Sequence, residues 1–283
     1  MTTPTVLVTA ATGTIGSSLV PTLRDRDITV RAMTRDPDRV VAGGVENVVA
    51  DLRDPESVTA ALHGVDAVFL NSPSAPDAAR LQMRVADLAQ RAGVQRLVLL
   101  SQYGARADSP VRFLRWHAEV EAHLGTLDLD HTVLRPNLYL QAVLGFAAQG
   151  RFAAPIGDAA VSAIDTRDIA DTAAAVLTSP GHADRTYTLT GPRAITHSQI
   201  ADALSAATGR NITFSDAPAA EFATALSAYL PPWQLDGLVE DYAHYARGEA
   251  ADVYTCVADL TGRPPRDLND FARDHATAFT HAP

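Results

Sequence analysis

The 283-residue sequence contains no lysine: all 23 of its basic residues are arginine. That absence excludes a P-loop lysine, a Schiff base and the Tyr-x-x-x-Lys dyad of ordinary short-chain dehydrogenases. Cysteine is nearly missing too. Cys256 stands alone, so no internal disulfide can form and a cytoplasmic location is expected. No base is evidently paired with it, which makes it an inert, semi-buried thiol. No apolar run reaches the ~18 residues of a membrane span. The first residues lack the basic and long apolar regions of a signal peptide. A basic stripe is also missing. With 33 acidic residues the net charge is -10, so nucleic acid is excluded as a partner. No His, Cys or Asp cluster has metal-ligand spacing, so no metal is expected. Repeats and low-complexity segments are absent. At 47% hydrophobic and 20% charged, the chain is long enough for one large domain with a lobe, or for two small domains.

What is present is concentrated at the start. The run Thr5-Val6-Leu7-Val8-Thr9-Ala10-Ala11-Thr12-Gly13-Thr14-Ile15-Gly16 reads as a strand and a small-residue turn. A helical pattern then follows through Leu23. Strand, glycine turn and helix together bring backbone N–H groups to a helix N-terminus, which suits a pyrophosphate. Gly13 lets the backbone approach the phosphates, and Gly16 lets the helix pack closely on the strand. The fingerprint position usually held by the first glycine is Ala10. A second strand, Ile28–Met33, ends at Thr34-Arg35 and completes a βαβ unit. An acid at that end would bond the ribose hydroxyls of NAD. Arg35 can instead pair with a 2′-phosphate, so NADP(H) is the expected cofactor, with NAD(H) second. Arg31 points the same way. The alternative is that Arg35 only caps or solvates the next helix.

The alternation continues. A short helix is expected over 37–41, then a strand over 45–50 ending at Asp51-Leu52. There Asp51 can bond an adenine amine while Leu52 covers the ring, and Asp54 with Pro55 opens a helix over 55–62. Strand Ala67–Leu70 is wholly apolar, as a parallel strand covered on both faces should be. It ends in Asn71-Ser72-Pro73. Helix 76–92 and strand 96–100 lead to Ser101-Gln102-Tyr103. Helix 110–124 carries Phe113, His117 and Glu121, the last two sharing a face. Strand 132–134 runs on to Pro136-Asn137-Leu138-Tyr139. This order specifies a right-handed, doubly wound parallel α/β sheet whose ligands bind beyond the carboxyl ends of the strands. Thr9, Ala11–Gly16, Arg35, Asp51, Leu52, Asn71, Ser72, Pro73, Ser101, Pro136 and Asn137 form the candidate cofactor set. Tyr103, Phe113, Leu138 and Tyr139 form the candidate substrate set. From residue 149 the pattern turns irregular. Residues 1–148 therefore read as the nucleotide domain, and 149–283 as a smaller α+β substrate lobe with strands returning to the main sheet.

Taken together, Val8–Gly16, Arg35-Asp36-Pro37, Leu100-Ser101, His117–Glu121, Thr132–Asn137, Ile164–Ala170 and Tyr187–Pro192 resemble the NmrA-like, atypical short-chain dehydrogenase/reductase group. Within it, the resemblance is to the NAD(P)H quinone oxidoreductase type 2 and triphenylmethane reductase branch. The resemblance covers about residues 5–215. It implies a Rossmann-like domain, NADP or NAD in the crevice and a small C-terminal lobe. Registering the helix through Glu121 puts His117 at the usual lysine and Phe113 at the usual tyrosine. The ordinary proton donor is then missing, and His117, Tyr103 and Ser101 are the catalytic candidates. His117 is read either as a donor with a near-neutral pKa or as a structural partner of backbone or Glu121. Ser101 is expected to orient ribose or substrate. The expected activity is NADP(H)-dependent hydride transfer to a quinone-like or other conjugated small molecule, by a monomer or homodimer. The alternatives are a non-catalytic cofactor sensor and a tailoring reductase or isomerase for a polyketide-type substrate.

Overall fold

The computed structural model describes residues 3–26, 28–39, 41, 43–147 and 149–279. Its elements run in order: β1 (Thr5–Val8), α1 (Gly16–Arg24), β2 (Thr29–Thr34), β3 (Glu46–Val49), α2 (Pro55–Leu62), β4 (Ala67–Leu70), α3 (Ala78–Arg91), β5 (Arg96–Leu100), α4 (Arg112–Leu124) and β6 (Asp130–Pro136). Then follow α5 (Leu140–Ala147), β7 (Arg151–Ala154), α6 (Thr166–Thr178), β8 (Arg185–Leu189), α7 (His197–Thr208), β9 (Thr213–Asp216), α8 (Ala219–Leu226), α9 (Pro232–Ala246), α10 (Cys256–Thr261) and α11 (Leu268–Asp274). Two compact units share this chain.

The first unit comprises residues 1–107, 114–135 and 169–187. The seven-stranded sheet has the order β3-β2-β1-β4-β5-β6-β8. From β3 to β6 every neighbouring pair is parallel, with Val6 beside both Val30 and Ala67, and Leu100 beside Leu134. This is a doubly wound order, the class that the alternation of strands and helices leads one to expect. Parallel strands need crossovers on their faces, so the central strands are buried on both sides. All four residues of β4 are buried, and Leu7, Val68, Leu97 and Leu99 join Val85, Val120 and Leu124 in one core. α2 begins as expected: Pro55 fills its first position and the Asp54 carboxylate accepts from the Glu56 N–H at 3.0 Å.

Among the described residues of 37–41, the expected helix does not form. The Asp36 carboxylate accepts from the Asp38 N–H at 3.0 Å, and Pro37-Asp38 is a turn. Such local side-chain bonds compete with helix formation. Val40, within that stretch, lies outside the described residues.

The second unit comprises residues 108–113, 136–168 and 188–283, so the expected cut at 148/149 falls inside it. Its core joins Leu140, Phe152, Ile200, Leu204, Ile212 and Phe271, beside the parallel pair β7-β9. α7 is sharply bounded. Thr196 and Gln199 form a reciprocal capping box, and Gly209 closes the helix at φ 68°. Gly191 is required by close approach rather than by φ. A methyl there would lie 3.3 Å from the Ala163 carbonyl carbon and closer still to its oxygen.

Candidate functional site

The turn after β1 is built by unusual backbone. Ala10 has φ 49°, a left-handed conformation that favours glycine. Alanine thus fills the first fingerprint position by accepting strain. Gly16 abuts that turn: a methyl on it would sit 2.7 Å from both Cα and O of Ala11 and nearer still to the Ala10 oxygen. The close packing assigned to Gly16 is therefore against the turn at the end of β1. Gly13 is less crowded, its missing methyl lying 3.1 Å from the Ala10 oxygen. α1 starts at N-cap Ile15 without a side-chain cap bond and without an acid in its first turn. Among the described residues the N–H groups of Thr12, Thr14 and Ile15 make no bond to the chain's own backbone. Thr12 and Thr14 are exposed, whereas Ala11, Ile15 and Gly16 are buried and contribute shape and backbone. The result is a helix end that presents donors and partial positive charge to an anion.

Thr9 has a different role from the direct contact its position suggests. It is 1% exposed, and its hydroxyl donates to the Asn71 carbonyl at 2.6 Å while accepting from the Asn71 N–H at 2.8 Å. It therefore clamps the end of β4 to the end of β1. Asn71 accepts the Ser72 N–H on its side-chain oxygen, and Gln82 on α3 donates to the Ser72 hydroxyl. Pro73 is exposed beyond them.

Arg35 is exposed at the end of β2 and makes no ion pair among the described residues. Arg31 does not serve the same end. It pairs with Glu46 at 3.0 Å and donates to the Ala61 and His63 carbonyls, so it fastens β2 to its neighbours. Asp51 is half-buried, and its carboxylate accepts the Arg53 N–H at 2.9 Å. Leu52 is buried, its carbonyl held by the Arg84 guanidinium of α3 at 2.5 Å. Nothing in the sequence marks Arg84 or Gln82 beyond a helix face.

At the ends of β5 and β6 the structure gathers Ser101, Glu121 and Arg135. Arg135 grips Glu121 with two guanidinium nitrogens, one of them at 2.9 Å, and the Ser101 hydroxyl donates to the same carboxylate. Ser101 is 3% exposed and its N–H bonds the Leu134 carbonyl at 2.8 Å. Its proton is committed, so Ser101 braces the strand ends and has none to spare for catalysis. Glu121, saturated by these two partners, makes no hydrogen bond to His117 four residues earlier. His117 itself has no hydrogen-bond partner in the protein among the described residues. Desolvation pulls its imidazole down to about 4, only partly opposed by Glu121. The expected near-neutral pKa is therefore corrected: at pH 7 this ring is neutral and a weak acid. Tyr103 is buried in the loop after β5.

The remaining candidates lie in the second unit. Pro136 is buried. Asn137 is 3% exposed and every side-chain function is taken. Its amide donates to Ser162 Oγ at 2.8 Å and to the Ala250 carbonyl at 2.9 Å, and its oxygen accepts the Leu138 N–H at 2.8 Å. Asn137 is thus a structural hub that joins three chain segments, and it has no donor left for a cofactor. Phe113 packs on α9, its ring filling the space where a Gly237 side chain would stand and meeting Trp233 edge-on at 6.3 Å. Leu138 and Tyr139 are half-buried. Among the described residues no group of His, Cys, Asp or Glu is arranged to hold a metal, and no helix is long and apolar enough to cross a membrane.

A family model described as NAD(P)H-binding matches residues 10–180. The chain is 36% identical over 282 residues to the NAD(P)H azoreductase of Xenophilus azovorans, an alignment spanning 97% of this chain and 99% of that one. The protein belongs to the NAD(P)H-binding, NmrA-like family. It is also 30% identical over 276 residues to quinone oxidoreductase 2 of Escherichia coli K12, covering 93% of this chain and 96% of that one. The solved structure of the NADPH-dependent quinone oxidoreductase from E. coli, complexed with NADPH, matches with a TM-score of 0.84 at 27% identity, over 95% of this chain and 99% of that one. The uncapped α1 terminus, the crowded Gly16 and the exposed Arg35 fit the dinucleotide that defines this family.

Proposed function

We propose that the protein is a cytoplasmic NADPH-dependent reductase of quinone-like and other conjugated small molecules. The observation that carries this reading is the pairing of an anion-receptive turn with a site poor in acids. The α1 terminus and Arg35 suit a pyrophosphate and a 2′-phosphate, while His117 is neutral at pH 7 and the Ser101 proton is committed. Bound NADPH would supply a hydride. The protein's part is then to bind and orient. In this reading Thr12, Thr14 and Ile15 receive the phosphates through backbone N–H groups, and Gly13 leaves room for their approach. Arg35 pairs with the 2′-phosphate, Asp51 and Leu52 meet the adenine, and Asn71 to Pro73 flank the cofactor on a strand end fixed by Thr9.

Reduction of a simple ketone needs an acid to protonate the forming alkoxide, whereas a conjugated acceptor delocalises the charge it receives. The names of the azoreductase and quinone-oxidoreductase relatives agree with such acceptors. NADPH oxidation against a panel of quinones and azo compounds tests the reading directly. Turnover with conjugated acceptors is the expected result. Robust reduction of simple ketones with no conjugated acceptor accepted would overturn it, and tight NADPH binding without any turnover would point instead to a sensor.

A further inference from the structure

Gln82 is a polar residue in an apolar stripe. With Val85, Ala86 and Ala89 it occupies the i, i+3, i+4 and i+7 positions of α3, and those three are wholly buried. Gln82 itself is 5% exposed. An amide taken out of water costs free energy unless it is bonded, so a residue chosen for packing alone would be apolar here. The Gln82 amide instead donates to the Ser72 hydroxyl oxygen at 2.8 Å. Ser72 is fixed on its other side too. Its N–H goes to the Asn71 side-chain oxygen at 2.8 Å, and Thr9 holds both the N–H and the carbonyl of Asn71. The Ser72 oxygen thus accepts, and its own proton has no acceptor among the described residues. A hydroxyl that accepts one hydrogen bond is polarised to donate the next. Ser72 follows β4, which pairs with β1 (Val8 beside Phe69), so it belongs to the same unit and the same carboxyl sheet edge as the turn at Gly13 and Gly16.

We propose that Gln82 is a positioning residue for the dinucleotide: it holds the Ser72 hydroxyl as a donor to a ribose or phosphate oxygen of the bound cofactor. The assignment rests on the placement of Ser72 beside the cofactor in the reading above. It does not depend on which acceptor is reduced. It gives a binding role to a helix residue that itself touches no ligand.

Gln82→Glu tests the direction of the bond. The two side chains have nearly the same shape, but an ionised carboxylate only accepts. Ser72 would then turn its proton toward position 82 and away from the cofactor. A protonated carboxyl still donates as the amide does, and burial raises the pH at which it ionises. NADP+ and 2′,5′-ADP are titrated calorimetrically against wild type and variants between about pH 5 and pH 9. The ratio of wild-type to Gln82→Glu affinity for NADP+ should rise with pH, from about one to about 3- to 10-fold, the range for one neutral hydrogen bond. Ser72→Ala should lose about the same factor at every pH, and adding Gln82→Glu to it should cost no further affinity. Equal losses for NADP+ and 2′,5′-ADP put the acceptor oxygen on the adenosine half of the cofactor, and loss for NADP+ alone puts it on the other half. A ratio that stays flat with pH, a Ser72→Ala protein that binds as wild type does, or a pH-dependent loss that persists without the serine hydroxyl overturns the assignment. A lowered melting temperature with unchanged affinity does so too, because it leaves Gln82 a structural role only. Each of those outcomes leaves the reductase reading in place. A wild type that binds neither probe overturns both.

Discussion

Replacing Gly16 with alanine tests the turn most directly, because the three atoms that a methyl would meet all belong to the backbone. Cα and O of Ala11 lie 2.7 Å from the position it would take, and the Ala10 oxygen is closer. No flexible side chain can yield. α1 must move off the strand end by the better part of an ångström, or Ala10, already at φ 49°, must leave its turn. Overpacking of this kind costs about 1–3 kcal/mol, and rigid backbone neighbours place Gly16→Ala at the upper end. For a protein of this size that corresponds to a fall in melting temperature of about 6–12 °C. The shift also moves the amides at the helix N-terminus, so NADPH affinity should fall more than tenfold. Gly13→Ala is the matched comparison. Its methyl is crowded only by the Ala10 oxygen, at 3.1 Å, with the Ala10 Cβ at an ordinary 3.9 Å, so the fold should lose about 1 kcal/mol or less. NADPH affinity should still fall, because the methyl stands where the phosphates approach. Differential scanning fluorimetry and fluorescence titration of NADPH read both quantities. Gly16→Ala that melts and binds as wild type does would refute the close-approach argument. Gly13→Ala that binds normally would refute the placement of the phosphates.

Arg35→Ala should weaken NADPH binding by about 5- to 150-fold and leave NADH nearly unchanged, as expected for one charge-assisted contact; equal loss for both cofactors would make Arg35 structural. Asn137→Ala should destabilise the protein by about 2–4 kcal/mol, since Ser162 Oγ, the Ala250 carbonyl and the Leu138 N–H all lose a buried partner, and chemical denaturation measures the loss. Acid should also destabilise the fold before its carboxylates titrate. Burial lowers His117 and His197 to about 4, whereas an unfolded histidine titrates near its ordinary value of about 6.5. Above that value both states are neutral and nothing changes. As pH falls from about 6.5 to 4, the unfolded chain takes up protons that the folded protein refuses, so stability drops by up to about 3 kcal/mol for each ring. Urea denaturation across that window shows the slope, and His197→Phe, in a site lined by Phe152, Phe214 and Tyr242, should reduce it.

The legible and illegible parts of this site differ by the range of the interactions that set them. The turn at Gly13 and Gly16, the cap at Asp54-Pro55 and the apolar run Ala67–Leu70 are decided by neighbours a few residues away, so spacing alone reveals them. The doubly wound parallel class of the sheet follows from the same local alternation. Failures arise where a polar side chain chooses a distant partner. Asn137 stands in the motif that suggests cofactor contact, yet its amide goes to Ser162 and to Ala250, 25 and 113 residues away. Thr9 turns to Asn71, 62 residues on, and Ser101 to Glu121 across a helix. No pattern of residue types separates a hydroxyl spent on a strand end from one offered to a ligand. His117 fails for a related reason: its pKa depends on desolvation by packing, which the i,i+4 spacing to Glu121 does not report. The expected short helix after Arg35 shows the reverse case. There a local Asp36 side-chain bond outweighs the helical pattern. One rule follows for this fold. A polar residue at the carboxyl end of a strand is first a candidate for holding that end in place, and it becomes a candidate for chemistry only when its bonds leave a donor over. Thr9, Ser101 and Asn137 fail that condition.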